Sequence, residues 1–205
     1  MKQSFTVPAA PPPSCRPGTV DLGTGVTSKT ALRAAMRALR RKLAADCPDA
    51  AERVAALLPE LPACEVYGLY HAVGSELDPS LIRVGRAACA LPVVIGPQAP
   101  MVFRLHGPGE ALVPDALGIP APGAAATEAA PDVVFTPVLA FDRRGGRLGQ
   151  GGGYYDRTLA ALRAAKPVWV IGLAYAGQEV DAIPMEPHDQ RLDAILTETG
   201  YLPVG

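Results

Sequence analysis

The segment "DVVFTPVLAFDRRGGRLGQGGGYYDRTLAALRAAKPVWVIGLAY" (residues 132–175) determines the fold class. Residues 132–141 and 168–175 are largely apolar, which is typical of strands that are buried on both faces of a sheet. Between them lie a turn at 142–146, a glycine-rich loop and a helical pattern over 155–166. Strand, helix and strand in this order predict a parallel β-α-β unit, and with it an α/β layered sandwich whose central sheet is mainly parallel and flanked by helices.

The segments upstream of this unit continue the alternation of strands and helices. Ser28 predicts the N-cap of a first helix, and a second helix is predicted over residues 49–58. The first helix has one apolar face, formed by Leu32, Met36, Leu39 and Leu43. Strands are predicted at 65–71, 92–95 and 101–106, a helix at 78–90 because it begins with Asp-Pro, and a loop at 114–132.

The first 27 residues differ in composition from the rest of the chain. They are rich in Pro, Gly, Ser and Thr and have no apolar periodicity. Such a segment buries too little apolar surface to offset its ordering entropy. The sequence therefore predicts a flexible leader at 1–27 and one α/β domain at 28–205.

Composition and charge argue against several classes of partner. The net charge of −1 and the 5% aromatic content disfavour a nucleic-acid partner. No apolar run reaches the roughly 20 residues that span a bilayer, so no membrane partner is expected. The four cysteines (Cys15, Cys47, Cys64 and Cys89) form no C-x-x-C motif, which predicts reduced thiols and a cytoplasmic location.

The glycine-rich loop at 146–153 lies where α/β folds bind ligands, after a strand and before the N-terminus of a helix. Glycine allows backbone N–H groups to approach a ligand closely, and a helix N-terminus attracts phosphate. Neither the P-loop motif nor G-x-G-x-x-G is present, because Tyr154 stands where the latter requires its third glycine. Composition alone therefore leaves a phosphate-binding loop and a flexible turn as open alternatives.

The longer stretch "PVLAFDRRGGRLGQGGGYYDR" (137–157) resembles the signature of the 5-formyltetrahydrofolate cyclo-ligase family, also called 5,10-methenyltetrahydrofolate synthetase. The stretches "KTALR" (29–33), "GSELD" (74–78) and "EPHDQRLDAILTETG" (186–200) follow the order of the same family, so the resemblance covers about residues 28–201. It implies a single catalytic domain that acts as a monomer. The domain is expected to use ATP and Mg²⁺ to convert 5-formyltetrahydrofolate to 5,10-methenyltetrahydrofolate, ADP and phosphate.

The resemblance also implies which residues bind ATP and which take part in the reaction. Arg147 is expected to steady the transferring phosphoryl group, and Tyr154 to border the reacting formyl group. The expected ATP-binding residues are Lys29, Arg33, Arg147, Leu148, Gly149, Gln150, Gly151, Gly152, Gly153, Tyr154 and Tyr155. For Lys29 and Arg33 the alternative is a solvated helix face, which is the interpretation kept for Arg37 and Arg41.

The folate and metal residues follow from the same resemblance. Asp156 and Asp189 are expected to bind Mg²⁺, which prefers hard oxygen ligands. The expected folate-binding residues are His71, Glu76, Gln150, Gly151, Gly152, Gly153 and Tyr154. The alternatives are an exposed loop glutamate for Glu76, a helix-start residue for Asp156 and a turn residue for Asp189.

Some positions depart from the family pattern or are left without a ligand. Where this chain has His71, family members often carry an apolar residue, and where it has Gln150 they often carry Arg or Tyr. His106 and His188 are interpreted as surface or structural residues.

Three other functions compete with this interpretation. A dinucleotide-dependent oxidoreductase would require the G-x-G-x-x-G motif, which is missing. A non-catalytic nucleotide- or folate-binding module would have lost its phosphate-binding cations or its acids, and both are present. A nucleic-acid binder would use the basic first helix, against the near-neutral net charge.

Overall fold

The computed structural model describes residues 28–57, 61, 63–83 and 88–204. The predicted leader at 1–27 lies outside the described residues. The helices are α1 (Lys29–Asp46), α2 (Ala50–Ala56) and α3 (Tyr154–Ala165), with short 3-10 helices at Ser80–Arg83 and Ala176–Gln178. The strands are β1 (Val66–Gly68), β2 (Ala88–Val93), β3 (Val102–Leu105), β4 (Leu112–Pro114), β5 (Pro120–Pro122), β6 (Val133–Pro137), β7 (Ala140–Phe141), β8 (Arg147–Leu148), β9 (Trp169–Leu173), β10 (Ala194–Thr197) and β11 (Gly200–Pro203).

A seven-stranded sheet in the order β11-β10-β9-β6-β1-β2-β3 forms the centre of the fold. The five inner strands pair in parallel, whereas β11 and β3 pair antiparallel at the two edges. β6 and β9 are the strands predicted from the two apolar runs, and α3 connects them. This arrangement confirms the predicted α/β fold with a mainly parallel sheet.

Alternate residues of the central strands face two separate cores. On β6, Phe135 packs into a cluster with residues of α1 and α2, such as Leu43 and Val54. Its neighbour Val134 points to the opposite face and packs with Leu159 of α3. Helices therefore cover both faces of the sheet, as the near-continuous apolar character of these strands requires.

The first half of α1 packs on the two-stranded β7–β8 hairpin rather than on the main sheet. Leu32 and Met36 join a third buried cluster that contains Leu139, Ala140 and Leu148. Because β8 leads directly into the glycine-rich loop, this contact places the N-terminus of α1 beside the loop. Ser28 caps the helix as predicted, since its Oγ accepts a hydrogen bond from the N–H of Ala31 at 3.2 Å.

Several predicted elements are wrong in type or extent. The helix predicted over 78–90 is only the 3-10 helix Ser80–Arg83 where it is described, and residues 88–90 belong to β2. Pairing of β2 with both β1 and β3 overrides the local helical spacing. The predicted loop at 114–132 contains part of the β4–β5 hairpin, and the strand predicted at 132–141 is divided between β6 and β7.

Among the described cysteines, Cys64 and Cys89 are free thiols, as predicted. Among the helices of the described part of the chain, none combines the length and the apolar character needed to cross a membrane.

Candidate active site

A cavity of about 630 Å³ opens at the carboxyl ends of β1, β2 and β6. Ligands of open α/β sheets bind in this position. Every residue predicted to bind ATP, folate or metal lines the cavity. The fold thus joins four segments that are distant in the sequence: the start of α1, residues 71–76, the glycine-rich loop and residues 186–189.

The turn before the glycine-rich loop is held by a buried carboxylate. Asp142 accepts hydrogen bonds from the N–H groups of Arg144, Gly146 and Ile183 at 2.8–2.9 Å. Gly145 adopts a φ of 77°, and a Cβ there would lie 2.5 Å from the Leu192 carbonyl oxygen. The turn therefore requires glycine, and it fixes where the loop begins.

The loop ends at the N-terminus of α3, which has no side-chain cap. Its N-cap residue, Gly153, is left-handed with φ 67° and ψ 7°, and no side-chain hydrogen bond caps the first turn. Tyr154, Tyr155 and Asp156 form that first turn and line the cavity. Uncapped N–H groups and the positive end of the helix dipole favour an anion at this point.

Arg147 and Asp156 form the most buried ion pair at this end of the cavity. Arg147 Nη2 lies 2.5 Å from Asp156 Oδ1, and the Arg147 side chain is only 4% exposed. Its Nε donates to the carbonyl oxygen of Gln190 at 2.9 Å, while the N–H of Gln190 donates to Asp156 Oδ1 at 3.0 Å. Burial lowers the pKa of Arg147 from its ordinary value, against the opposing effect of Asp156 and Asp189.

A second ion pair joins α1 to the C-terminal segment. Lys29 Nζ lies 2.8 Å from Asp189 Oδ2 and 3.0 Å from Glu186 Oε1. Burial alone would lower the pKa of Lys29, but its bonds to Asp189 and Glu186 outweigh burial and raise it. Burial alone would raise the pKa of Asp189, but Lys29 and the N–H of Glu186 outweigh it and lower it. Both groups are therefore charged at neutral pH.

Two arginines of α1 hold the outer side of the glycine-rich loop. Arg33 Nε donates to the carbonyl oxygen of Gly149 at 3.1 Å. Arg37, interpreted from the sequence as solvated, instead donates from Nε to Gln150 Oε1 at 2.9 Å. The side chain of Gln150 thus contacts α1 as well as the cavity.

In the loop after β1, Glu76 lines the cavity and is paired with a buried arginine that sequence reasoning missed. Arg40 Nη1 lies 3.3 Å from Glu76 Oε1, and the two side chains are 7% and 8% exposed. Glu76 Oε2 accepts a hydrogen bond from the N–H of Val73 at 3.0 Å. Glu76 is therefore not the exposed loop residue of the alternative interpretation.

Comparison with known proteins shows the family of this chain. The sequence model of the 5-formyltetrahydrofolate cyclo-ligase family matches residues 26–198. The chain belongs to this family. The 5-formyltetrahydrofolate cyclo-ligase of Mycolicibacterium smegmatis is 38% identical over 141 residues, which are 62% of this chain and 71% of the relative. That of Haemophilus influenzae is 49% identical over 65 residues, 32% of this chain and 34% of the relative, so this alignment spans only about a third of that protein's length.

Two solved structures with the same fold are named 5,10-methenyltetrahydrofolate synthetase, the alternative name of this family. The 5,10-methenyltetrahydrofolate synthetase of Aquifex aeolicus superposes with a TM-score of 0.71 at 28% identity, over 86% of this chain and 92% of that one. The synthetase of Mycoplasma pneumoniae has a TM-score of 0.66 at 22% identity, over 84% and 99% of the two chains, and shows the fold alone.

The wall of this cyclo-ligase-family cavity contains residues that sequence reasoning did not assign to the site. One side is largely apolar and comes from strand ends and the β4–β5 hairpin: Pro92, Val94, Met101, Leu117, Ile119 and Pro137. His188, interpreted as surface or structural, also lines the cavity, although its side chain is 71% exposed. The hairpin residues were missed because their proline-rich segment was predicted as a loop.

The tyrosines of the loop differ in their surroundings. Arg157 lies over the Tyr154 ring at 5.0 Å from its centroid, an arrangement that orients the ring by a cation–π contact. Tyr155 packs against the core cluster of α3, and burial, followed by the nearby Glu76 charge, raises its pKa. Tyr155 therefore serves the core as well as lining the cavity.

The two predicted metal ligands offer suitable donor atoms. Asp156 and Asp189 both line the cavity, and the charge of each acts on the same Arg147 guanidinium. Among the described residues no group of three or more His, Cys, Asp or Glu side chains forms a metal site. One or two carboxylates nevertheless fit Mg²⁺, which completes its shell with waters and substrate phosphates.

Proposed function

We propose that this chain is an ATP- and Mg²⁺-dependent ligase that converts 5-formyltetrahydrofolate to 5,10-methenyltetrahydrofolate, with release of ADP and phosphate. One observation carries the proposal: a single cavity is lined both by a glycine-rich loop with three cations and by apolar side chains with the Glu76 carboxylate. A triphosphate suits the first set of residues and a pterin suits the second. Family membership supports the same pair of substrates.

The glycine-rich loop and its cations are suited to the phosphates of ATP. The uncapped first turn of α3 presents backbone N–H groups, and Lys29, Arg33 and Arg147 supply positive charge. Because the Arg147 side chain is almost fully buried, its charge is weakly screened and acts strongly on a phosphate close to it. Phosphoryl transfer depends mainly on such positioning and charge neutralisation.

The reaction activates an amide oxygen that is a poor leaving group. The formyl oxygen attacks the γ-phosphorus of ATP, the bond to the β,γ-bridging oxygen breaks, and ADP leaves. N10 then attacks the activated formyl carbon and loses its proton to solvent. The carbon–oxygen bond breaks, the former formyl oxygen leaves within phosphate, and the N5–C–N10 methenyl bridge remains.

Within this reaction, Arg147 steadies the transferring phosphoryl group and Tyr154 borders the formyl group. Asp156 and Asp189 would hold Mg²⁺, which when bound neutralises charge on the phosphates. In the free protein Arg147 and Lys29 neutralise these two acids. The same cations are then available to phosphate oxygens when the nucleotide binds.

The apolar side chains and Glu76 are suited to the folate. Glu76 can accept hydrogen bonds from the amino and ring N–H groups of the pterin, which form a two-donor edge. His71, which precedes Glu76 in the same loop, also lines the cavity. The apolar wall excludes water from the pterin rings. Monomeric state and cytoplasmic location remain predictions.

The proposal is tested by mixing the protein with 5-formyltetrahydrofolate and MgATP at neutral pH. We expect near-ultraviolet absorbance of the methenyl product, with one ADP and one phosphate formed per product. If the formyl group carries ¹⁸O, the label is expected in the released phosphate. Omission of ATP and addition of EDTA serve as controls. ATP hydrolysis without methenyl formation, or label that remains outside phosphate, would contradict the proposal.

A further inference from the structure

Arg40 is a charged residue on the apolar face of α1. It follows Leu32 and Met36 at four-residue intervals and precedes Leu43, and all four side chains are buried. A charged side chain at such a position requires a partner, because an unpaired buried charge is strongly destabilising. Arg40 has two partners on consecutive residues of the loop after β1: Nε donates to Ser75 Oγ and Nη1 to Glu76 Oε1, both at 3.3 Å.

These contacts leave part of the Glu76 carboxylate free. An ionised carboxylate has about four acceptor sites. Arg40 occupies one on Oε1 and the N–H of Val73 occupies one on Oε2. Because Glu76 lines the cavity, the remaining acceptor sites are available to a ligand that offers two N–H donors.

Tyr70 lies close to Glu76 but carries no charge. Burial, followed by the Glu76 charge, raises the pKa of Tyr70, whose hydroxyl donates to the carbonyl oxygen of Leu77. Of Arg40 and Tyr70, Arg40 therefore supplies the positive charge that faces the carboxylate, through its hydrogen bond to Oε1.

We infer that Arg40 is a positioning residue that determines specificity: it fixes the position of the Glu76 carboxylate, so that the cavity selects a heterocycle with adjacent amino and ring N–H donors. This inference rests on the proposed function and concerns how the cavity recognises the folate substrate. Arg40 touches no substrate itself and acts through Glu76.

The test compares steady-state kinetics of Arg40→Met, Arg40→Lys, Glu76→Gln and the double variant Arg40→Met/Glu76→Gln. Loss of a charge-assisted hydrogen bond is worth about 10- to 100-fold in binding, so the KM for 5-formyltetrahydrofolate should rise by about that factor in Arg40→Met. The KM for ATP should change less than about twofold, because neither Arg40 nor Glu76 is assigned to the nucleotide. Arg40→Lys keeps the charge and should restore most of the folate affinity.

The matched control is Arg41→Met, which removes an exposed arginine from the adjacent position of the same helix. It should leave both KM values unchanged. Thermal unfolding of each variant identifies a folding defect. If Arg40→Met does not fold because Glu76 is left unpaired, the double variant removes both charges and, together with Arg40→Lys, still decides the question.

The double variant separates positioning from a merely structural role. If Arg40 acts through Glu76, the double variant should have the same folate KM as Glu76→Gln alone. The inference would be overturned if Arg40→Met raised the KM for folate and the KM for ATP equally and its effect added to that of Glu76→Gln. It would also be overturned if folded Arg40→Met had an unchanged folate KM. In both cases the wild-type protein would remain active. A wild-type protein that forms no methenyl product would instead contradict the proposed function, and the inference with it.

Discussion

Helices α1 and α3 both begin at the cavity, but their N-termini are built in opposite ways. At α1, Ser28 caps the helix and the first turn contains no acid, although it begins with a cation, Lys29. At α3, Gly153 provides no cap and the first turn contains Asp156. A cation is unfavourable at a helix N-terminus and an acid is favourable there.

The difference indicates what each helix contributes to the site. α1 satisfies its own backbone with Ser28 and presents side chains to the cavity, namely Lys29 and Arg33. α3 leaves its backbone N–H groups without a side-chain cap and presents them to the cavity beside the glycine-rich loop. One helix thus supplies positively charged side chains, and the other supplies fixed dipoles that need no reorganisation when a phosphate binds.

The largest expected effect comes from removing Arg147, the buried cation that is paired with Asp156 in the first turn of α3. Arg147→Ala should lower kcat by about 10²- to 10³-fold, the range found for loss of one preorganised charge-stabilising group. It should also lower Tm, because Asp156 loses its buried partner. Turnover of methenyl product and thermal unfolding measure the two effects.

A double variant separates these two consequences. Arg147→Ala/Asp156→Asn removes both charges of the pair, so it should recover much of the lost Tm while turnover stays low. Recovery of turnover together with Tm would mean that Arg147 acts only on stability and that turnover does not need the Asp156 carboxylate either.

The next effect tests whether α3 must remain uncapped. Gly153→Asp adds a carboxylate that can accept the first-turn N–H groups and repel phosphate, so ATP should bind at least about tenfold more weakly, equivalent to about 1.4 kcal/mol. Gly153→Asn is the matched control: it has nearly the same shape and tolerates the left-handed conformation, but carries no charge. Titration calorimetry with ATP measures the difference. Equal affinities for the two variants would show that the first turn of α3 does not bind the phosphates.

A smaller effect is expected at the capped helix. Ser28→Ala removes the hydrogen bond to the N–H of Ala31 and should cost about 1 kcal/mol of unfolding free energy. Denaturant unfolding measures this loss. The KM for ATP should stay unchanged, because Ser28 supports α1 without lining the cavity. A changed KM with unchanged stability would mean that the N-terminus of α1, like that of α3, binds the nucleotide.

The same two helices show which features could be predicted from sequence. The start of α1 after Ser28 was predicted correctly, and α3 was predicted at 155–166, one residue from its observed bounds, because apolar spacing is a local signal. The helix predicted at 78–90 failed because residues 88–90 pair between β1 and β3, a tertiary interaction that local spacing does not reveal. β10 and β11 were not predicted, because each has only four residues, too few to show a clear pattern of apolar and polar positions.

Site residues, too, were predicted where a local motif contains them and missed where only the folded chain brings them together. The loop and its acids were predicted because their motif is long, and they all line one cavity. Arg40 was missed although a signal existed, since it continues the spacing of Leu32 and Met36 on a face that should be apolar. The apolar wall could not be predicted, because its residues come from strand ends and a hairpin that only the folded chain brings together.

The smallest expected effect concerns Lys29, the cation at the capped helix. Its raised pKa gives stability that is present below the ordinary lysine value of 10.5 and is lost as pH rises through the folded value. The lowered pKa of Asp189 gives stability that is present above the ordinary value of 3.8 and is lost as pH falls through the folded value. The stability difference between wild type and Lys29→Met/Asp189→Asn should therefore be level between these limits and shrink outside them.

Because the pair is partly solvated, the difference should not exceed about 1 kcal/mol, and Lys29→Met also removes an unfavourable cation from the first turn of α1. Urea unfolding at intervals from pH 3 to pH 11 measures it, with Lys42→Met, an exposed lysine of the same helix, as the control. A difference that shrinks near neutral pH would show that another titrating group controls the pair. If the stability difference stayed level at every pH and the double variant bound ATP more weakly, Lys29 would contribute to nucleotide binding rather than to stability.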